Sequence, residues 1–122
     1  MFGKQKVAMW VAEFLGTFTL ASAVLAIVVG LNFPIFTALT AGLTLGVMVL
    51  VIGPVSGAHI NPAVTFGLWT LKKVSTSTAV VYIAAQMAGA LVALRLNEYL
   101  LDRTIPKLAE GGWDWRIALA EG

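Results

Sequence analysis

The chain has 122 residues, 59% hydrophobic and 11% charged, with one His and no Cys. Soluble domains carry about 25% charged residues, so this composition suits lipid better than water. The missing cysteines exclude a disulfide framework, a thiol catalyst and a thiolate metal site, and a net charge of +2 on scattered positions leaves no basic patch for nucleic acid.

The first apolar run extends from Val7 to about Leu31, with Lys4 and Lys6 before it and Glu13 as its one charge. About 20 apolar residues cross a hydrocarbon core of about 30 Å, so this run spans with some tilt. Ala21-Ser22-Ala23 has the small-residue pattern of a signal-peptide cleavage site, but the charge of Glu13 and the apolar residues beyond it favour a retained span. Asn32-Phe33-Pro34 breaks the run. A second span follows from Ile35 to about Gly53, where Gly53-Pro54 is expected to end it. Ala38, Gly42 and Gly46 recur every four residues within it, a spacing that lets helix backbones approach closely in lipid.

Residues 54–71 read differently. Val55 to Ile60 is short and Gly-rich, and Pro62 to about Leu71 reads as a helix of about 15 Å, half the core. Asn61 suits its N-cap and Pro62 its first position, where a missing N–H costs nothing. Lys72-Lys73 would stop it at a water interface. The third span runs from about Thr78 to Leu101 and holds Gln86, Gly89 and Arg95. Residues 1–101 therefore form one membrane unit. Residues 102–122 form a polar extracytoplasmic loop with Trp113 and Trp115 as interface anchors, and Ile117 to Gly122 looks like the opening of a fourth helix. The expected fold is an all-α membrane protein with three transmembrane helices and one re-entrant half-helix.

Placing Lys4, Lys6, Lys72 and Lys73 on the cytoplasmic side leaves Arg103, Lys107 and Arg116 outside, a weak bias toward a cytoplasmic N-terminus in a multi-pass protein of the cell membrane. The half-helix then begins near the bilayer midplane. Irregular backbone survives at that depth only when buried in protein or lining a wet cavity. A helix N-terminus carries about half a positive charge and unpaired N–H groups, so it repels cations. The Asn61 oxygen can cap the helix and leave its amide NH2 for a passing solute, and the carbonyls of residues 57–59 can form an acceptor ladder.

Other readings of single residues are blander. His59 can serve as a metal ligand or pH sensor, but lone among 122 residues without Cys it fits loop packing better. Glu13 can relay protons or brace the loop, and bracing is preferred. No nucleophile–base pair, phosphate loop or paired carboxylates share a site, so neither an enzyme nor a cofactor is expected.

Ser56-Gly57-Ala58-His59-Ile60-Asn61-Pro62-Ala63-Val64-Thr65 resembles the first signature loop of the aquaporin/glyceroporin (major intrinsic protein) family. Ala12-Glu13-Phe14-Leu15-Gly16-Thr17-Phe18 is similar to the family's first helix, and Tyr82-Ile83-Ala84-Ala85-Gln86-Met87-Ala88-Gly89-Ala90 to its third. The resemblance implies one half of an aquaporin-like inverted repeat, with the site at a repeat interface. It gives Asn61 the pore-centre cap, with Pro62 and Ala63 shaping the turn, and makes the carbonyls of Gly57, Ala58, His59 and Ile60 the inner vestibule. Glu13 becomes the brace of the loop, and Gln86 an amide buried against backbone. Ala41 stands twenty residues before Asn61, where water-selective members often carry an aromatic, so glycerol or another small neutral solute stays open beside water.

The second Asn-Pro-Ala loop and the arginine after it are absent from the sequence. One copy cannot enclose a pore. The expected function is half of a passive channel, completed by a second repeat or by an antiparallel homo-oligomer, with a truncated, non-conducting or assembly protein as the alternative.

Overall fold

The computed structural model describes residues 3–31 and 33–102, and the described residues form four helices. These are α1 (Lys4–Gly30), α2 (Pro34–Ser56), α3 (Pro62–Thr70) and α4 (Thr76–Leu101). Three of them, with 27, 23 and 26 residues, are long and apolar enough to cross a membrane. The fold is thus an all-α membrane protein, with α3 as the short fourth element. The expected fourth helix and the interfacial Trp113 and Trp115 lie outside the described residues.

Helix ends follow local chemistry. Lys4 and Lys6 lengthen α1 by almost a turn beyond the apolar run. Pro34 opens α2 behind an extended Phe33, where its fixed φ suits a first turn. Ser75 opens α4 by accepting the Thr78 N–H on its hydroxyl at 3.3 Å. One boundary departs from expectation: Gly53-Pro54 does not end α2, which continues to Ser56 with Pro54 inside it. Proline removes one helical hydrogen bond, but only two residues follow it. Gly57 then stops the helix in the left-handed region, φ 88°, and donates its N–H to Gly53 O at 2.9 Å.

α1 packs along α4 and against α2, and α3 packs on α4. Glu13 meets Gln86, and Gly89 faces Phe14 and Phe18 one turn further along both helices, so α1 and α4 run in the same direction. That contact needs glycine. A Cβ on Gly89 would stand 2.5 Å from the Phe14 carbonyl oxygen, and one on Gly16 would stand 2.6 Å from the Ile52 side chain. Among the described residues nothing packs on the expected small-residue face of α2 at Gly42 and Gly46, where an added Cβ would meet no atom within 4 Å. The buried stripe of α4 is Ala79, Tyr82, Gln86, Gly89, Ala93 and Asn97, a three-and-four spacing that keeps one face on α1.

Candidate functional site

The polar interior is built around one carboxylate. Glu13 is fully buried on α1. Its Oε1 accepts hydrogen bonds from the Ser56 hydroxyl at 2.6 Å and the His59 N–H at 2.9 Å. Its Oε2 accepts from the Ile60 N–H at 2.7 Å and the Gln86 amide at 2.8 Å. One side chain thus joins the end of α2, the loop 57–61 and α4. Glu13 is the tenth residue of α1 and Gln86 the eleventh of α4, which puts the loop about 14 Å along both helices from their starts.

The loop needs that anchor because its backbone is strained. Ala58 and Ile60 both have left-handed φ, 49° and 53°. A β-branched residue rarely adopts this region, and each such residue costs on the order of 1–3 kcal/mol. Glu13 holds the N–H of the left-handed Ile60 and of His59, which lies between the two left-handed residues. Two further bonds fix the loop's ends. The Tyr82 hydroxyl donates to Ser56 O at 2.9 Å, and the Thr17 hydroxyl donates to Ile60 O at 3.1 Å. The Ile60 side chain, 2% exposed, fills the small core formed with Ala12, Ile52 and Ala58. Ile60 therefore seats the loop, and one lone pair of its carbonyl is committed to Thr17, unlike the open acceptor expected of it. The carbonyls of Gly57, Ala58 and His59 accept no hydrogen bond from another described residue.

Helix α3 starts from this platform. Asn61 is extended, φ −146° and ψ 128°, and its Oδ1 accepts the Ala63 N–H at 2.8 Å. Pro62 occupies the first helical position. With the oxygen turned toward the helix, the Asn61 amide NH2 makes no bond to another described residue, and Asn61 itself is exposed. Over nine residues, α3 reaches about 14 Å. It ends in a tight turn where Lys73 N–H donates to Leu68 O and Lys72 is left-handed.

Thr65, fully buried, ties α3 to both sides. Its hydroxyl lies 3.0 Å from His59 Nδ1 and accepts the Gln86 amide at 3.0 Å. The His59 ring also meets the Tyr82 ring edge-on, with centroids 5.1 Å apart. Gln86 is buried as expected, but its partners are the side chains of Glu13 and Thr65 rather than backbone. Trp69 meets Phe66 of its own helix at a tilt, with centroids 5.5 Å apart, and donates its indole N–H to the Thr76 hydroxyl at 3.0 Å, joining the end of α3 to the start of α4.

The structure gathers Glu13, Gly57, Ala58, His59, Ile60, Asn61, Pro62, Ala63 and Gln86 into one assembly. Ala41 is outside it. That residue is half-buried on α2, whose helix partner is α1 rather than α3. Sequence reasoning missed Thr17, Ser56, Thr65 and Tyr82 as network members. Spacing could have found three of them: Thr17 follows Glu13 by four, Thr65 follows Asn61 by four and Tyr82 precedes Gln86 by four, each one helical turn on the same face.

Comparison with known proteins agrees with this architecture. The family model described as Major intrinsic protein matches residues 3–112. Glycerol uptake facilitator protein-like 6 of Lactiplantibacillus plantarum is 35% identical over 114 residues, covering 84% of this chain and 53% of the relative. Aquaporin-1 of Canis lupus familiaris is 36% identical over 96 residues, covering 68% of this chain and 35% of the relative. The chain thus spans about half the length of the first relative and about a third of the second.

Proposed function

The chain belongs to the major intrinsic protein family, and from that premise we propose that it supplies one re-entrant half of a passive membrane channel for water or a small neutral solute. The second half-helix comes from another repeat or from a second copy inserted antiparallel, and the amino terminus faces the cytoplasm. The observation that carries this reading is the start of α3. Asn61 is exposed there, three backbone carbonyls beside it accept no bond from another described residue, and a buried carboxylate fixes the whole turn.

The arrangement treats neutral and charged solutes unequally. A neutral solute can donate to the carbonyls of Gly57, Ala58 and His59 and accept from the Asn61 NH2, replacing its bonds to water. A cation meets the positive end of α3 and loses more hydration than three carbonyls restore. No step here breaks a covalent bond, so the activity is permeation and not catalysis. Ala41 leaves the choice between water and a glycerol-like solute open to a wider constriction, in which the partner half supplies the remaining walls.

A chimera tests the proposal. Residues 3–101 replace the matching half of a relative that itself conducts, and the product is reconstituted in liposomes. Osmotic shrinkage at a rate near the parent's supports the reading, as does raised cation leak in its Asn61→Asp form, where a negative charge sits at the positive helix end. Shrinkage no faster than protein-free liposomes, with the chimera correctly inserted, would reject it. A non-conducting assembly subunit is the second reading, favoured by the unoccupied Gly42 and Gly46 face. It would tolerate Asn61→Ala with no loss of its effect on partner chains.

A further inference from the structure

The hydrogen bonds that run outward from Glu13 have a direction, and that direction reaches the one histidine. Both carboxylate oxygens accept backbone N–H groups, from His59 and Ile60, so the end of the Gln86 amide that faces them is its NH2. Gln86 gives one amide hydrogen to Glu13 Oε2 at 2.8 Å and the other to Thr65 Oγ1 at 3.0 Å. Thr65 therefore receives from Gln86 and has its single hydroxyl hydrogen to give. Three acceptors surround that hydroxyl: His59 Nδ1 at 3.0 Å, Asn61 O at 3.3 Å and Gln86 Oε1 at 3.4 Å. Nδ1 is the nearest, and Asn61 O already accepts the Thr65 N–H at 3.1 Å. A ring nitrogen that accepts carries no proton, so the neutral imidazole holds its proton on Nε2.

Nε2 has a different setting from Nδ1. No hydrogen bond joins it to another described residue. Among the described residues Ser22 Oγ is the one fully buried side-chain polar atom without a partner, so Nε2 is not sealed in. The ring edge lies beside Gly57, where an added Cβ would stand 3.4 Å from Nε2. The ring also lines a hollow of about 240 Å³ toward the starts of α1 and α4, together with Met9, Ser56, Lys73 and Tyr82. Tyr82 gives its hydroxyl hydrogen to Ser56 O and meets the ring only edge-on. The exposed Lys73 makes no bond to the ring.

We propose that Thr65 is a positioning residue that holds His59 in its Nε2–H form, so that the imidazole presents a hydrogen-bond donor to this hollow. The group it takes is an acceptor oxygen, of water or of a hydroxyl-bearing solute, and not a cation. The loop then offers a side-chain donor at His59 as well as backbone acceptors at Gly57, Ala58 and His59. That a permeating solute supplies the oxygen rests on the channel reading, whereas the position of the proton does not.

The test labels the imidazole of the single histidine with 15N and reads both ring nitrogens by solid-state NMR in lipid bilayers. The pH is set well above the ordinary imidazole range, so that only neutral forms are seen. The unaltered chain should show a one-bond hydrogen coupling at Nε2 and none at Nδ1, with the Nε2 hydrogen in contact with water. Thr65→Val removes the hydroxyl at nearly constant volume, and Nδ1 should then move downfield, toward the position of an unbonded ring nitrogen. Thr65→Ser should keep it in place, and Lys73→Gln should leave both ring signals unchanged. A proton on Nδ1 of the unaltered chain would overturn the proposal, as would an Nδ1 signal that Thr65→Val does not move. An Nε2 hydrogen without water contact would overturn the donor's place in the hollow. If Thr65→Val does not insert, the unaltered chain and Thr65→Ser still decide where the proton sits. None of these readings requires conduction, so a chain that passes no solute would reject the channel reading and leave the tautomer standing.

Discussion

The centre of this chain and the outer face of α2 have similar apolar surroundings and opposite construction. Around Glu13 buried polar groups gather beside a small apolar core: Thr17, Ser56, Thr65 and Gln86 are all within reach of it or of the loop it holds. Along α2 the apolar residues Leu43, Val47 and Leu50 are exposed, and a Cβ on its glycines would meet no described residue within 4 Å. In lipid the apolar side chain gains little by being buried, so helices associate through close backbone packing and hydrogen bonds. The difference teaches that in this fold hydrogen bonding marks the inside, and apolarity marks neither side.

Substitutions can break that contrast in order of expected effect. Glu13→Ala leaves the Ser56 hydroxyl, two backbone N–H groups and the Gln86 amide without their acceptor. Each unsatisfied buried donor costs about 1–3 kcal/mol, so a loss of about 3 kcal/mol or more is expected in reversible denaturant unfolding from mixed micelles. Gly89→Ala sets a methyl against the Phe14 carbonyl and should cost about 1–3 kcal/mol in the same measurement. Asn61→Ala removes the cap of α3 and should cost about 1 kcal/mol, whereas Asn61→Asp keeps an acceptor for the Ala63 N–H and should unfold close to the unaltered chain. Gly42→Ala should be neutral or stabilising by up to about 1 kcal/mol, since no described residue would meet the added methyl within 4 Å. If Gly42→Ala proved as damaging as Gly89→Ala, the outer face would be packed in the preparation, and its openness would belong only to the isolated chain.

A subtler comparison lies within the loop. Ala58→Gly relieves a left-handed φ but frees the unfolded chain, two effects of about 1 kcal/mol each that oppose one another. A change within about 0.5 kcal/mol is expected by thermal unfolding. A large stabilisation there would mean that the Glu13 bonds offset less strain than the geometry implies.

Much of this was legible in the sequence. Hydrophobic run length located the three long helices, and Asn61-Pro62 marked the start of α3 through cap chemistry that depends on two residues alone. Glu13 and Gln86 stood out as polar residues inside apolar spans. What escaped was which face turns inward. Gly16 and Gly89 look no different in sequence from Gly42 and Gly46, because lipid-facing and protein-facing positions are equally apolar. Pro54 was misread as a terminus, since a proline's effect depends on how many residues follow it before a cap such as Gly57. The left-handed turns at Ala58 and Ile60 had no local signal, because neither residue favours them. They exist because a carboxylate 45 or more residues away captures the adjoining N–H groups.

That capture is the central claim, and amide hydrogen exchange of the chain in detergent micelles reads it directly. The N–H groups of His59 and Ile60 should exchange slowly in the unaltered chain and much faster in Glu13→Ala, while the mid-helix amides of α2 keep their protection. Unchanged protection of His59 and Ile60 in a folded Glu13→Ala chain would contradict the account, since the loop would then hold its shape without the carboxylate.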